Sequence, residues 1–235
     1  MGAALLLLHG TAIAVSKEFN NGIGDWNVAD NWTPAGVPGD GDRANIRDGD
    51  TVNVTDSPPA TDVTLDGGTI NVEGGHLRLG SEGHIELASG TVNLSAGSIE
   101  QVATWTRMGD RAFATLTWNQ SGGIARINHN AGAPAANNAT IELKISGGEY
   151  HGNGIPLPHP DASDALLDID VSGTGFVRLQ QLASSNTRIS LLNPAAVIAV
   201  RTEEWDNFLA AVDTPWELAA GPEADFTYAE GTVDG

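Results

Sequence analysis

Four aspartates, Asp40, Asp42, Asp48 and Asp50, alternate with Gly39, Gly41 and Gly49 in one short stretch. Carboxylates at alternate positions supply hard oxygen ligands of the kind Ca²⁺ takes, so these four are the candidate metal ligands and Ca²⁺ the candidate cofactor. The spacing is that of neither an EF-hand nor the G-G-x-G-x-D nonapeptide, and Asp with Gly is also the ordinary composition of turns. Trp26, Trp32, Trp105 and Trp118 are the candidate binding residues: an exposed indole can stack on a sugar ring, whereas a buried one fills a core or caps an open end. Asp168 and Asp170 lie two apart on a predicted strand and share a face, as paired carboxylates flanking a glycosidic bond would. Their alternation with Ile169 and Val171 equally describes the solvent face of a strand. No catalytic residue is assigned, because His76, His84, His129, His151 and His159 form no H-E-x-x-H and no G-x-S-x-G elbow is present.

The elements that would position these groups are β-strands. The chain has 235 residues, 29 glycines and a net charge of −19. That field repels nucleic acid and anionic membrane surfaces, and favours solubility at high salt or cation binding. A hydrophobic share of 40% excludes a disordered acidic tail. The absence of cysteine excludes disulfides and thiolate metal sites. Near the start, Leu5, Leu6, Leu7 and Leu8 form an apolar run followed by Ala12-Ile13-Ala14. The run is too short to span a bilayer, so no transmembrane segment is expected. It reads either as the remnant of an export signal or as an apolar edge strand able to add to a neighbouring subunit.

An internal repeat over Thr64–Glu100 decides the fold. The first apolar residues of successive short strands are Ile70, Leu77, Ile85, Val92 and Ile99, at spacings of 7, 8, 7 and 7. Ile70/Val72, Leu77/Leu79, Ile85/Leu87 and Val92/Leu94 face one way, and Asn71, Arg78, Glu86 and Asn93 the other. A period of two gives one buried and one solvated face. The strands are separated by Glu73-Gly74-Gly75, Gly80–Gly83, Ala88-Ser89-Gly90 and Ser95-Ala96-Gly97. Hairpins favour Asn-Gly or Asp-Gly at such points, whereas glycine at a corner admits positive φ and close backbone approach. Three strands per coil give a coil of roughly 22 residues, a period that suits a solenoid. The repeat continues through Thr115–Asn119, Ile141–Ile145, Leu166–Val171, Ile189–Leu191 and Val197–Val200, with loops at 128–138 and 152–163. Thr202, Glu203 and Glu204 open a predicted helix whose apolar face is Trp205, Phe208, Leu209 and Val212, closed by Pro215. Such a helix would cap the last coil.

Residues 24–46 carry Asp25-Trp26-Asn27, Asn31-Trp32, Val37-Pro38 and Asp42-x-Ala44-x-Ile46; later come Asn119-Gln120-Ser121-Gly122-Gly123 and Ser146-Gly147-Gly148. This pattern resembles secreted bacterial β-helix proteins with autotransporter-type repeats, over roughly residues 19–150 and more loosely to about 220. The resemblance implies secretion or display on a bacterial cell surface, and a mode of attachment that these residues leave open.

The expected fold is therefore all-β: a right-handed parallel β-helix with a short C-terminal capping helix. Its expected parts are an apolar segment or signal remnant (1–14), an N-terminal cap and first coil (15–63), the solenoid (64–200), and a terminal helix and cap (201–235). The expected function is a structural or adhesive surface module, not an enzyme, with a second copy or cell-surface glycans as partners and no nucleic acid. The alternative is a polysaccharide-binding or polysaccharide-cleaving β-helix, although the compact Asp, His, Arg and Lys sets of such lyases have no counterpart where Lys17 and Lys144 are the only lysines. If the Asp40–Asp50 turns hold Ca²⁺, a chelator lowers the Tm of protein purified with calcium, since a ligand bound only by the folded state stabilises it. An unchanged calorimetric Tm leaves these aspartates as turn residues.

Overall fold

Alternating Val, Ile and Leu with small polar residues must bury one face of every strand, and the chain does so by winding on itself. In a computed structural model, residues 14–80, 85–101, 106–109, 111–129, 138–154, 165–180, 187–193, 195–201, 216–219 and 226–231 are described. They form a parallel β-solenoid of about six turns.

The strands stack in three parallel columns. The first holds Ser16–Phe19, Arg43–Arg47, residues 62–66, residues 85–89 and Thr106–Met108. The second holds Ile23–Asp25, Thr51–Val54, residues 69–72 and 90–94, then Thr115–Gln120, Thr140–Ile145, Leu166–Val171 and Thr187–Leu191. The third holds His76–Leu79, Ser98–Gln101, Ile124–His129, Glu149–Gly154, Phe176–Leu179 and Val197–Arg201. Ile70 partners Val92 and Leu77 partners Ile99, so the expected 22-residue coil is realised there. Ile70, Val72, Leu77, Leu79, Ile85, Leu87, Val92 and Leu94 are all buried.

One corner differs from its expected form. Asp62–Val72 and Ile85–Leu94 each run through two columns as a single strand, so Ala88-Ser89-Gly90 is a bend inside a strand and not a turn between two. Register shifts at Leu65/Asp66 and Asp66/Thr69 absorb the change of direction, as β-bulges bend a strand while its neighbours stay paired. The other corner is a true turn, stacked coil on coil. Ser98, Ile124, Glu149 and Phe176 donate their N–H groups to the carbonyls of Gly75, Gly97, Gly123 and Gly148 at 3.0–3.1 Å. A Cβ on Gly97 would stand 1.4 Å from the Gly74 oxygen, so no larger residue fits.

The core is a set of columns one residue deep. Val52, Ile70, Val92, Trp118, Leu143, Ile169 and Ile189 follow one another through the second stack. Each fully buried side chain of this size is worth about 1.5–3 kcal/mol. Gln120 interrupts the next column but is satisfied: it donates to the Gly123 and Glu149 carbonyls at 3.2 and 3.0 Å and accepts from Trp118 Nε1 at 3.3 Å.

Antiparallel pairing marks both ends. Trp32–Thr33 pairs antiparallel with Ser16–Phe19, and Phe226–Gly231 pairs with both Val197–Arg201 and Trp216–Ala219. The helix expected at 202–215 lies outside the described residues, as do Leu5, Leu6, Leu7 and Leu8.

Replacing Ile85 by Ala is expected to cost about 2–5 kcal/mol in urea unfolding. Gly97→Ala is expected to lower Tm more than Gly41→Ala. Both positions have positive φ, but only Gly97 lacks space for the methyl group.

Candidate functional site

In a parallel stack the side chains that face outward repeat at the same place on every coil, so a site here is a rank of residues and not a pocket assembled from distant loops. On the second column, Thr51, Thr69, Thr91, Thr117, Glu142, Asp168 and Arg188 form one outward rank. Asn53, Asn71, Asn93, Asn119, Lys144, Asp170 and Ser190 form the other. The four asparagines are joined into a ladder: Nδ2 of Asn71, Asn93 and Asn119 donates to Oδ1 of Asn53, Asn71 and Asn93 at 2.9, 2.8 and 2.9 Å.

Beyond Asn119 the ranks become charged. Lys144 Nζ donates to Glu142 Oε2 at 2.7 Å, and Thr117 Oγ1 donates to the same oxygen at 3.2 Å. The hydrogen bond to Glu142 raises the Lys144 pKa; desolvation opposes it, and the charges of Glu142, Asp170 and Asp168 each raise it by less. Arg188 grips Asp168 with two N–H groups, Nε to Oδ1 at 2.9 Å and Nη2 to Oδ2. Alongside runs a shallow groove of about 370 Å³, where the corner serines Ser95, Ser121, Ser146 and Ser172 face Lys144 and Asp170.

The residues singled out from sequence are distributed as follows. Trp26, Trp32 and Trp118 are buried. Trp26 and Phe19 each pack edge-on against Trp32 with centroids 5.2 Å apart, and Trp118 packs against Tyr150 at 5.6 Å. Burial pushes the Tyr150 hydroxyl far above the usual tyrosine range. These three indoles build core and offer no face to a sugar; Trp105 lies outside the described residues.

Asp42 accepts the Val15 and Gly39 N–H groups at 3.0 and 2.9 Å, and Asp50 accepts that of Arg47 at 3.1 Å. Asp40 and Asp48 are exposed. Among the described residues no three His, Cys, Asp or Glu side chains converge in a metal-sized cluster. Asp168 and Asp170 do share the outward face, either side of buried Ile169, but the first is held by Arg188 and the second borders the groove.

Sequence reasoning missed three features. The T-x-N triplets at 51–53, 69–71, 91–93 and 117–119 are visible as text, yet only the register brings them onto one plane. The Arg188–Asp168 pair spans 20 residues and has no local signature. On the third column, His76 Nδ1 meets Ser98 Oγ while Nε2 meets Glu100 Oε2 at 3.2 Å. This Ser–His–Glu chain stands on an outer face, with the His and Glu side chains 35% and 39% exposed, so it lacks the water exclusion that strengthens charge stabilisation in a nucleophilic site.

This arrangement defines a parallel β-solenoid with ranked polar faces. No protein-family model, no curated protein and no solved structure matches the chain.

The raised Lys144 pKa means that the pair favours the folded state at neutral pH, and that this contribution disappears as pH rises through the folded pKa. Glu142→Gln is expected to move the Lys144 titration down towards ordinary lysine, read from the ε-methylene shift by NMR. An unmoved midpoint would mean that Glu142 is not its partner in solution.

Proposed function

We propose that the chain is an extracellular or cell-surface module of a bacterium, structural and adhesive in role, acting through its ranked outer faces. The observation that carries this reading is the placement of aromatic and polar groups. Trp26, Trp32 and Trp118 are spent on the core, while the outward positions of the second column repeat short hydroxyl and amide side chains over four successive coils. Such a surface suits presentation and contact more than turnover, which needs convergent groups in a sheltered site. The resemblance of residues 24–46 to secreted autotransporter-type β-helices supports the same location.

The second reading, polysaccharide binding, is favoured by the groove. Its serines and the Lys144/Asp170 pair offer the mixed donors and acceptors that sugar hydroxyls need. Calorimetry with neutral oligosaccharides separates the two: heat that disappears in Asp170→Ala supports the groove, and no heat leaves the structural reading.

Self-association is assigned to the apolar run Leu5–Leu8. A strand that adds to a neighbour's edge makes a head-to-tail contact, and one that does not close produces a filament. The chain retaining residues 1–14 is expected to assemble, and one starting at Val15 to be monomeric or much less prone to assemble. Light scattering and electron microscopy on both decide it; identical monomers would remove this segment from assembly.

A further inference from the structure

Four successive coils of the second column, from 51–53 to 117–119, present a surface unlike the rest of this acidic molecule. Thr51, Thr69, Thr91 and Thr117 are successive partners in one rank, and Asn53, Asn71, Asn93 and Asn119 in the next. All eight are half-exposed and none is charged, on a chain of net charge −19. Asp25 bounds the asparagine rank at one end, and Glu142 and Lys144 bound the plane at the other. Coils are spaced about 4.8 Å apart, and residues two apart on a strand about 6.7 Å. The result is a two-dimensional lattice of hydroxyl, methyl and amide groups.

The lattice is also held still. Threonine is stiff at χ1 because of its branched Cβ. The asparagines are fixed by the ladder, whose bonds use one donor and one acceptor of each interior amide and leave a second of each. A partner therefore meets groups whose ordering cost has already been met by folding.

Size and chemistry restrict that partner. The plane measures roughly 14 by 7 Å, far below the ~800 Å² per side of a specific protein interface. It holds no aromatic ring, since Trp118 points inward beneath it, so it lacks the usual platform for a sugar. It holds no charge, so it selects no ion. What remains is an electroneutral surface with its own two-dimensional repeat of hydrogen-bond donors and acceptors. Ordered water has that character, and the coil step of the lattice lies close to the short oxygen–oxygen lattice repeat of hexagonal ice. Bridging water satisfies polar groups nearly as well as direct contact, so the plane need not be dehydrated to bind.

We propose that the Thr/Asn plane of coils 51–53 to 117–119 is an ice-binding surface. Binding pins the growing crystal at the protein and slows growth of large crystals from small ones. The activity is independent of assembly through residues 1–14.

The test is inhibition of ice recrystallisation in frozen sucrose by the purified chain, together with its uptake into a slowly growing ice hemisphere. Wild type is expected to inhibit at micromolar concentration and to enter the ice. The double variant Thr69→Lys/Thr91→Lys is expected to lose both properties with an unchanged circular-dichroism melt. Thr64→Lys, the same replacement on the neighbouring column, is expected to keep both. Should the double variant fail to fold, Thr91→Tyr alone serves, since it blocks the plane at one coil. Exclusion of wild type from ice overturns the proposal, as does full inhibition by a folded plane variant. Adsorption to crystalline cellulose or chitin without uptake into ice overturns it in favour of a polysaccharide.

Discussion

The whole molecule depends on how closely one corner can lie upon the next. At 73–75, 95–97, 121–123 and 146–148 the backbone of each coil accepts hydrogen bonds from the coil above through glycine carbonyls. The approach leaves no room for a Cβ: at Gly75, Gly97, Gly122 and Gly148 the nearest backbone oxygen would stand within 2.3 Å of one. Because the corners stack this tightly, the strands leaving them stay in register. Because the strands stay in register, inward residues form continuous apolar columns and outward residues form ranks. The Asn53–Asn119 ladder follows from glycine geometry several residues away.

That dependence explains what could be read in advance. The spacing of Ile70, Leu77, Ile85, Val92 and Ile99 exposes the 22-residue coil directly, since one alternating face must be buried and each turn is marked by small residues. The bend at Ala88-Ser89-Gly90 was not legible, because the same small residues serve a turn and a bulge, and only pairing with residues 62–72 distinguishes them. Trp118 alternates with Thr117 and Asn119 and so shares the inward face of Leu116, while pairing stacks it on Val92, 26 residues earlier. The plane of T-x-N triplets, like the bend, was not legible. Their intervals of 18, 22 and 26 residues do not look periodic until the loops between them are set aside.

Polar groups within this frame are handled by the same economy of position. Gln120 occupies an inward column, where an apolar residue stands in other coils, and is tolerated because two carbonyls and an indole N–H complete its bonding. An unpaired amide there would cost about 1–3 kcal/mol. Asp42 and Asp50 show the outward counterpart, each using carboxylate oxygens to satisfy backbone N–H groups at a turn. Much of the acidic character of residues 40–50 is thus already engaged in shaping the first coils.

The unequal coils have an evolutionary consequence. Partnered residues in the second column are 18, 22, 26, 25, 26 and 20 positions apart, from Val52 through Ile70, Val92, Trp118, Leu143 and Ile169 to Ile189. The differences are absorbed between strands, while the stacked corners remain alike. A gene encoding this architecture can therefore lengthen or trim a loop without shifting any strand by one residue, the change that would turn a strand inside out. It can also duplicate or delete one whole coil, since each coil touches chiefly its two neighbours. The length of such a molecule is then editable in steps of one coil, much as a chain of links is altered without recasting the links that stay.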